Sequence, residues 1–250
     1  MQVTAAGLDG CRSGWVAAIA CAPSPNRAVD PPSTRLQRFD KLAEVVAWAE
    51  ARGRPIVAVD VPMGLPGRAG PRACDRAARR ELGRRWMSVF APPDRELLGL
   101  HFVAAREVVR ARRRAEPDAV HRVMTHQTMN IAPKVAEADR VLRADPGRQA
   151  WLIEAHPELS FQELAGVRLA GKRDAAGARR RRELIGRTFP DSSRRLAEAV
   201  WPPRAVAAAD LLDAYAALWT ALRFRRGQGS YRELGDGTRD AHGLLQRIIV

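Results

Sequence analysis

Cysteine is scarce in this 250-residue chain, with Cys11, Cys21 and Cys74 the full set. They form no CxxC pair, and their odd number argues against a disulfide framework. A structural zinc site would have to draw its ligands from isolated positions, which excludes the usual finger-like spacings. No apolar run approaches the ~20 residues of a membrane span, so no membrane partner is expected. No repeat of the solenoid kind is present. The opening residues run straight into a strand pattern without a basic leader, which predicts a cytoplasmic protein. Lysine is nearly missing as well, occurring only at 41, 134 and 172. Every other basic side chain, histidine aside, is arginine.

What is abundant is arginine and alanine. The net charge is +14, and a basic surface concentrates phosphate ligands. An arginine-and-alanine bias also arises from GC-rich coding alone, so the charge raises a nucleic-acid partner only modestly. Hydrophobic residues make up 46% of the chain, enough to build the core of one sizeable α/β domain or two small ones.

Three strand-like runs each climb to an acid: 3–8 to Asp9, 55–59 to Asp60, and 150–153 to Glu154. Neighbouring parallel strands end on one sheet edge, and ligands of open α/β sheets bind outside that carboxyl edge. Acids gathered there repel one another unless protons, a lysine or a divalent metal sit between them. Hard oxygen donors suit Mg²⁺ or Mn²⁺. The plainer reading makes each acid a helix cap or a turn residue.

In chain order, Gly14–Cys21 reads as a second strand, 22–32 as a proline-rich loop and Ser33–Phe39 as a third strand, giving an antiparallel meander. Asp40 is placed to cap a helix over 41–52. The β-branched run 55–59 suits a central strand buried on both faces. Helices are predicted over 94–114, 118–130 and 133–143. The segment from about 62 to 148 reads as a helical cap over the carboxyl edge of a single 1–250 domain, or else as a small second domain. Residues 172–195 are rich in arginine and predict a loop leading into a helix that carries Arg179–Arg182. A basic run is usually a solvated face. Its neighbourhood to Glu154 in sequence also suggests phosphate contact.

The strongest helix pattern covers 204–225, with Gly227 as its stop. Between the arginines at its ends it is dominated by alanine and leucine, and Asp210 and Asp213, three apart, share one face. An unpaired buried carboxylate is costly, so these acids must meet arginines or metal. The tail, 231–250, ends in Ile248-Ile249-Val250, which suggests a last short strand.

An aspartate on strand one, a meander, a helix, a strand ending in an acid and an aspartate on a late helix is the layout of the ribonuclease H-like fold. There, acids hold two metal ions that activate water in phosphodiester cleavage. The expected class is thus α/β, a mixed sheet with strands 1–3 antiparallel and later strands parallel, flanked by helices.

The motifs GLDGCRSGWV, DVPMGLP, RACDRAARRELG, SVFAPP, APKVAEAD, EAHPELSF and DLLDAYAALWTALR occur in that order. Together they closely resemble domain-of-unknown-function family 429, from about residue 7 to the C-terminus. Members of that family are regarded as predicted nucleases of ribonuclease H-like fold. The resemblance implies Asp9, Asp60, Glu154 and Asp213 as catalytic metal ligands, with Asp210 a further candidate. It places His156 and Glu158 in the HPE stretch, where they would orient a ligand, move a proton or serve structure. Cys74 and Asp75 match an RxCD stretch, for which packing and a salt bridge suffice. Arg12, Lys134 and Lys172 are candidate substrate contacts, the lysines because a compact ammonium suits a site of phosphates or acids. Ser13 stands where the family's opening motif has glycine.

Three functions follow as expectations. The first is a metal-dependent nuclease using two Mg²⁺ or Mn²⁺ ions on DNA or RNA. The second is a protein of the same fold that binds nucleic acid without turnover. The third, an ATP-dependent phosphotransferase, lacks its second Gly-rich phosphate loop and a second related domain in this sequence.

Overall fold

A computed structural model describes residues 2–22, 32–67, 71–117 and 125–250. Most of the proline-rich loop and the first part of the helix expected over 118–130 lie outside the described residues. In chain order the elements are β1 (Val3–Cys11), β2 (Gly14–Cys21), β3 (Ser33–Phe39), α1 (Leu42–Glu50), β4 (Ile56–Val59), α2 (Ala73–Leu82), α3 (Phe102–Ala115) and α4 (His126–Ala144). They continue as β5 (Leu152–Glu154), α5 (Pro157–Ala165), α6 (Ala175–Thr188), α7 (Ser192–Glu198), α8 (Ala208–Arg226), β6 (Glu233–Leu234) and β7 (Ile248–Ile249). Among the described residues no helix is long and apolar enough to cross a membrane.

Two compact units emerge. One comprises Met1–Asp60, Ala150–Glu233 and Ile249–Val250, the other Val61–Gln149 and Leu234–Ile248. The first is built on a mixed five-stranded sheet in the order β3-β2-β1-β4-β5. The meander β1-β2-β3 is antiparallel, whereas β4 and β5 run parallel to β1. β2 is buried along its whole length, and β1 from Ala5 to Asp9, because both faces are covered.

Strand alternation assigns the faces. Ala5, Gly7 and Asp9 point one way on β1, as do Ala58 on β4 and Ile153 on β5. This is the face on which α8 packs, with Ala214, Tyr215, Ala217, Leu218 and Ala221 in its core. Gly7 is required there. A methyl group at position 7 would overlap the backbones of Ala214, Ala217 and Leu218. Leu8, Val57, Val59 and Leu152 are buried on the opposite face. A polar network ties the meander to the helices: Thr34 Oγ1 bonds Asp191 Oδ1 at 2.7 Å and the Tyr215 hydroxyl at 2.9 Å.

In the second unit, Arg72 and Asp75 form a buried pair, with Arg72 Nη2 donating to Asp75 Oδ1 at 2.5 Å. Arg95 donates to Asp139 Oδ1 at 2.7 Å and to Asp240 Oδ2 at 2.5 Å. Burial would raise the Asp240 carboxyl. Bonds from Arg95 and from the N–H groups of Leu65, His242 and Leu244 outweigh it and hold the group below the usual carboxylate range. Leu97, Ala105 and Val109 form a small core there.

Several local expectations are corrected. Asp40 does not cap α1. Lys41 holds the N-cap position without a side-chain bond, while Asp40 pairs with Arg38 and its N–H donates to Glu44 at 3.0 Å. The helix expected from 94 starts only at Phe102, since Gly99 takes φ +87° and His101 Nδ1 accepts the Ala104 N–H. Pro133 does not divide α4. Proline removes one backbone donor, and the buried face of Ala132, Val135, Ala138 and Leu142 carries the helix through. The third acid-bearing strand starts at Leu152, because 146–150 forms a 3₁₀ turn.

Candidate active site

The carboxyl ends of β1 and β4 lie side by side, and the last register pair is Leu8 with Val59. The Asp60 N–H still donates to the Leu8 carbonyl at 2.9 Å, so Asp9 and Asp60 follow as neighbours just past the paired residues. β1 itself continues to Cys11, because β2 keeps pairing with it as far as Cys11 with Gly14. Asp9 is therefore held inside a strand, not at a loose end. Ser13, in the hairpin turn, costs nothing in place of glycine. Its φ is not positive, and its hydroxyl donates to the Ala205 carbonyl at 3.2 Å.

α8 brings the third acid. Asp213 lies one turn before Ala217, whose backbone touches Gly7, so the glycine that seats α8 also sets Asp213 on the Asp9 face. Asp213 is 3% exposed and accepts a bond from Lys172 Nζ at 2.7 Å. Its side-chain partner is thus a lysine, where an arginine was one expectation. Asp210, in the first turn of α8, accepts the Ala207 N–H at 2.9 Å and closes the helix start.

The electrostatics bind these groups into one cluster. Burial, then the charges of Asp60, Asp213 and Asp210, push the Asp9 carboxyl well above the usual range, against the pull of Lys172. Asp60 is pushed up to about 7 by burial and by Asp213, again opposed by Lys172 and reinforced by Glu158. Burial also raises Asp213, while Lys172 lowers it. For Lys172 the cost of burial is outweighed by Asp213, Asp9 and Asp60, and its ammonium is held more firmly than in water. Among the described residues no donor bonds the carboxylates of Asp9 or Asp60.

These shifts fix a pH dependence. A carboxyl whose folded value lies above its unfolded one (~4) stabilises the fold at low pH. That contribution is lost as the pH rises through the folded value. Metal-free protein is expected to melt lower at about pH 8 than at about pH 5, with the contribution of Asp60 declining above its unfolded value (~4) and lost once the pH passes about 7. Circular-dichroism melts in EDTA check this. A melting temperature that rises across the interval would contradict it.

The remaining sequence candidates are placed as follows. Glu154 is in register with Val59 and hence with Leu8. Alternation turns its side chain to the face opposite Asp9 and Asp60, and the next residue, Ala155, takes the aligned position. Its environment is buried, at 5% exposure. His156 stands at the N-cap of α5, where its carbonyl accepts the N–H groups of Leu159 and Ser160. Arg12 is exposed at the β1–β2 turn. Lys134 belongs to the second unit, on α4, 3.9 Å from Glu137.

One important residue was hidden. Arg181, part of the basic run 179–182, is 1% exposed. It donates to Glu158 Oε2 at 2.6 Å and to the carbonyls of Ala170 and Gly177 at 2.9 Å each. Helical spacing could have revealed it, since Gly177, Arg181, Leu184 and Ile185 form one buried face.

Among the described residues no three histidine, cysteine or acidic side chains converge into a ready-made metal cage. Two unbonded carboxylates do fit Mg²⁺ or Mn²⁺. Mg²⁺ in particular keeps water and phosphate oxygens and takes only one or two protein carboxylates.

Fold and cluster define a mixed α/β protein with buried acids at the carboxyl edge of its sheet. The chain belongs to the family described as Protein of unknown function (DUF429), which it matches over residues 7–234. No curated protein and no solved structure matches it.

Proposed function

We propose that this protein is a metal-dependent phosphodiester hydrolase of ribonuclease H-like fold, acting on DNA or RNA. The observation that carries the reading is the pair Asp9 and Asp60. They are neighbouring carboxylates at the ends of adjacent parallel strands, Asp9 buried and Asp60 half-buried, mutually repelling and without a donor among the described residues. Such a pair is costly to a fold, and a bound cation repays the cost. The strand order β3-β2-β1-β4-β5, antiparallel and then parallel, agrees with the proposed fold.

Asp9 and Asp60 would hold Mg²⁺ or Mn²⁺. When bound, the ion would lower the pKa of water and offset charge on the phosphoryl oxygens. Asp213, oriented by Lys172, adds negative potential that favours a cation over other ligands. Arg173, Arg179 and Arg182, exposed near Lys172 in sequence, supply cations for backbone phosphates. Glu154 and His156 have no part in this reading.

The test is cleavage of labelled single- and double-stranded DNA and RNA with Mn²⁺, with EDTA, and with Asp60→Asn. Cleavage should require the metal and fall about 100-fold or more in the variant, the scale on which loss of a charge-stabilising group acts. Binding without cleavage, unchanged by chelator, would favour a nucleic-acid-binding protein instead.

A further inference from the structure

Lys172 is held in place by its surroundings. The two residues before it are pinned by their carbonyls. Ala170 O accepts from the buried guanidinium of Arg181 at 2.9 Å, and Gly171 O accepts the Asp174 N–H at 3.0 Å. α6 approaches this loop closely enough that a methyl at Gly177 would overlap Gly171 O and come within 2.8 Å of Ala170 O. Asp174 caps the same helix start through the N–H groups of Ala176 and Gly177. Arg181 is fixed in turn by Glu158 and by the ring of Phe161, 5.4 Å from its guanidinium carbon. The outcome is an ammonium 2.7 Å from Asp213, on a side chain still 47% exposed.

We propose that Lys172 is a resident cation of the acid cluster, which takes the part of a second divalent ion and limits the site to one Mg²⁺ or Mn²⁺ on Asp9 and Asp60. This rests on the metal-dependent reading above. Three observations support it. With Asp213 matched by Lys172, Glu158 by Arg181, and Asp210 engaged by the Ala207 N–H at the start of α8, Asp9 and Asp60 are the two acids of the cluster left without a donor among the described residues, and one divalent ion balances that pair. No three-donor cage exists among the described residues. Finally, an ammonium is a compact point charge with three donors, whereas a guanidinium is a planar fork. In a chain with lysine at only three positions, the cation inside this cluster is a lysine. Its exposed flank leaves it open to a phosphate oxygen of a substrate.

The experiment is Mn²⁺ titration by calorimetry, with bound ions counted by electron paramagnetic resonance, on the full chain, Lys172→Met and Lys172→Arg. The half-exposed position tolerates methionine, and Lys172→Arg keeps the charge as a folding-matched control. The expected result is one ion in the parent and in Lys172→Arg. Lys172→Met should take two ions, or bind one at least about tenfold tighter, the equivalent of 1.4 kcal/mol. Two ions in the parent, or a Lys172→Met protein that binds no more tightly than the parent, overturns the inference and leaves the hydrolase reading standing. No binding to any of the three proteins overturns both.

Discussion

Asparagine at position 9 is expected to do two opposite things: abolish cation binding and raise the melting temperature of the metal-free protein. Asp9 is 9% exposed, raised by burial and by three neighbouring acids, and unbonded among the described residues. Asparagine has nearly the same shape and no charge, so the repulsion goes. The wild type loses stability as the pH rises through the raised Asp9 value, whereas the variant has no such loss. The gap should therefore widen with pH. At about pH 8 it should reach about 1–3 kcal/mol, the scale of relieving an unsatisfied buried group. That corresponds to roughly 2–10 °C for a chain of this size. Paired melts in EDTA at low and high pH check it. A variant that melts well below the parent at every pH would mean that the carboxylate supports the fold. A stability gain joined to a functional loss is the usual mark of a site held at the fold's expense.

Alanine at position 7 should have the largest effect on the fold itself. The added carbon would overlap the backbones of Ala214, Ala217 and Leu218, and backbone in a buried helix cannot step aside as a side-chain tip can. α8 would have to lift from β1, opening the core in which Tyr215, Leu218 and Ala221 are buried. A cost of about 4 kcal/mol or more is expected, a large share of the stability of an ordinary domain. The protein should be largely unfolded or insoluble. A soluble Gly7→Ala chain melting within a few degrees of the parent would show that the β1–α8 contact is looser than described. A folded but expanded variant should also lose cation selectivity, because Asp213 would no longer lie beside Asp9.

Much of the sheet was legible because β1, β2 and β4 are apolar runs bounded by turn residues. β2 begins and ends where its apolar run does, and β3 takes the expected bounds with only Leu36 and Phe39 as apolar content. Asp9 and Asp60 were legible by chain order, and Asp213 as a charge on a helix dominated by alanine and leucine. The direction of Glu154 was not legible. A run that ends in an acid says nothing about parity, and one residue of register turns a side chain to the other face. The Lys172–Asp213 pair was not legible as a contact. It depends on a loop set by Gly177 and Arg181, residues distant from Asp213 in sequence. Arg181 itself was masked by its neighbours, since a run of four arginines reads as solvated surface until helical spacing separates the one that is buried. Asp40 and Pro133 misled through propensity alone, where a neighbouring Arg38 and a buried helix face decided the outcome.

The most direct measurement is Mn²⁺ titration by calorimetry into the metal-free wild type and into Asp9→Asn. Binding to the wild type, absent from a variant that melts at least as high, is the predicted result. Equal binding to both proteins, or none to either, would contradict the carboxylate pair as a metal site.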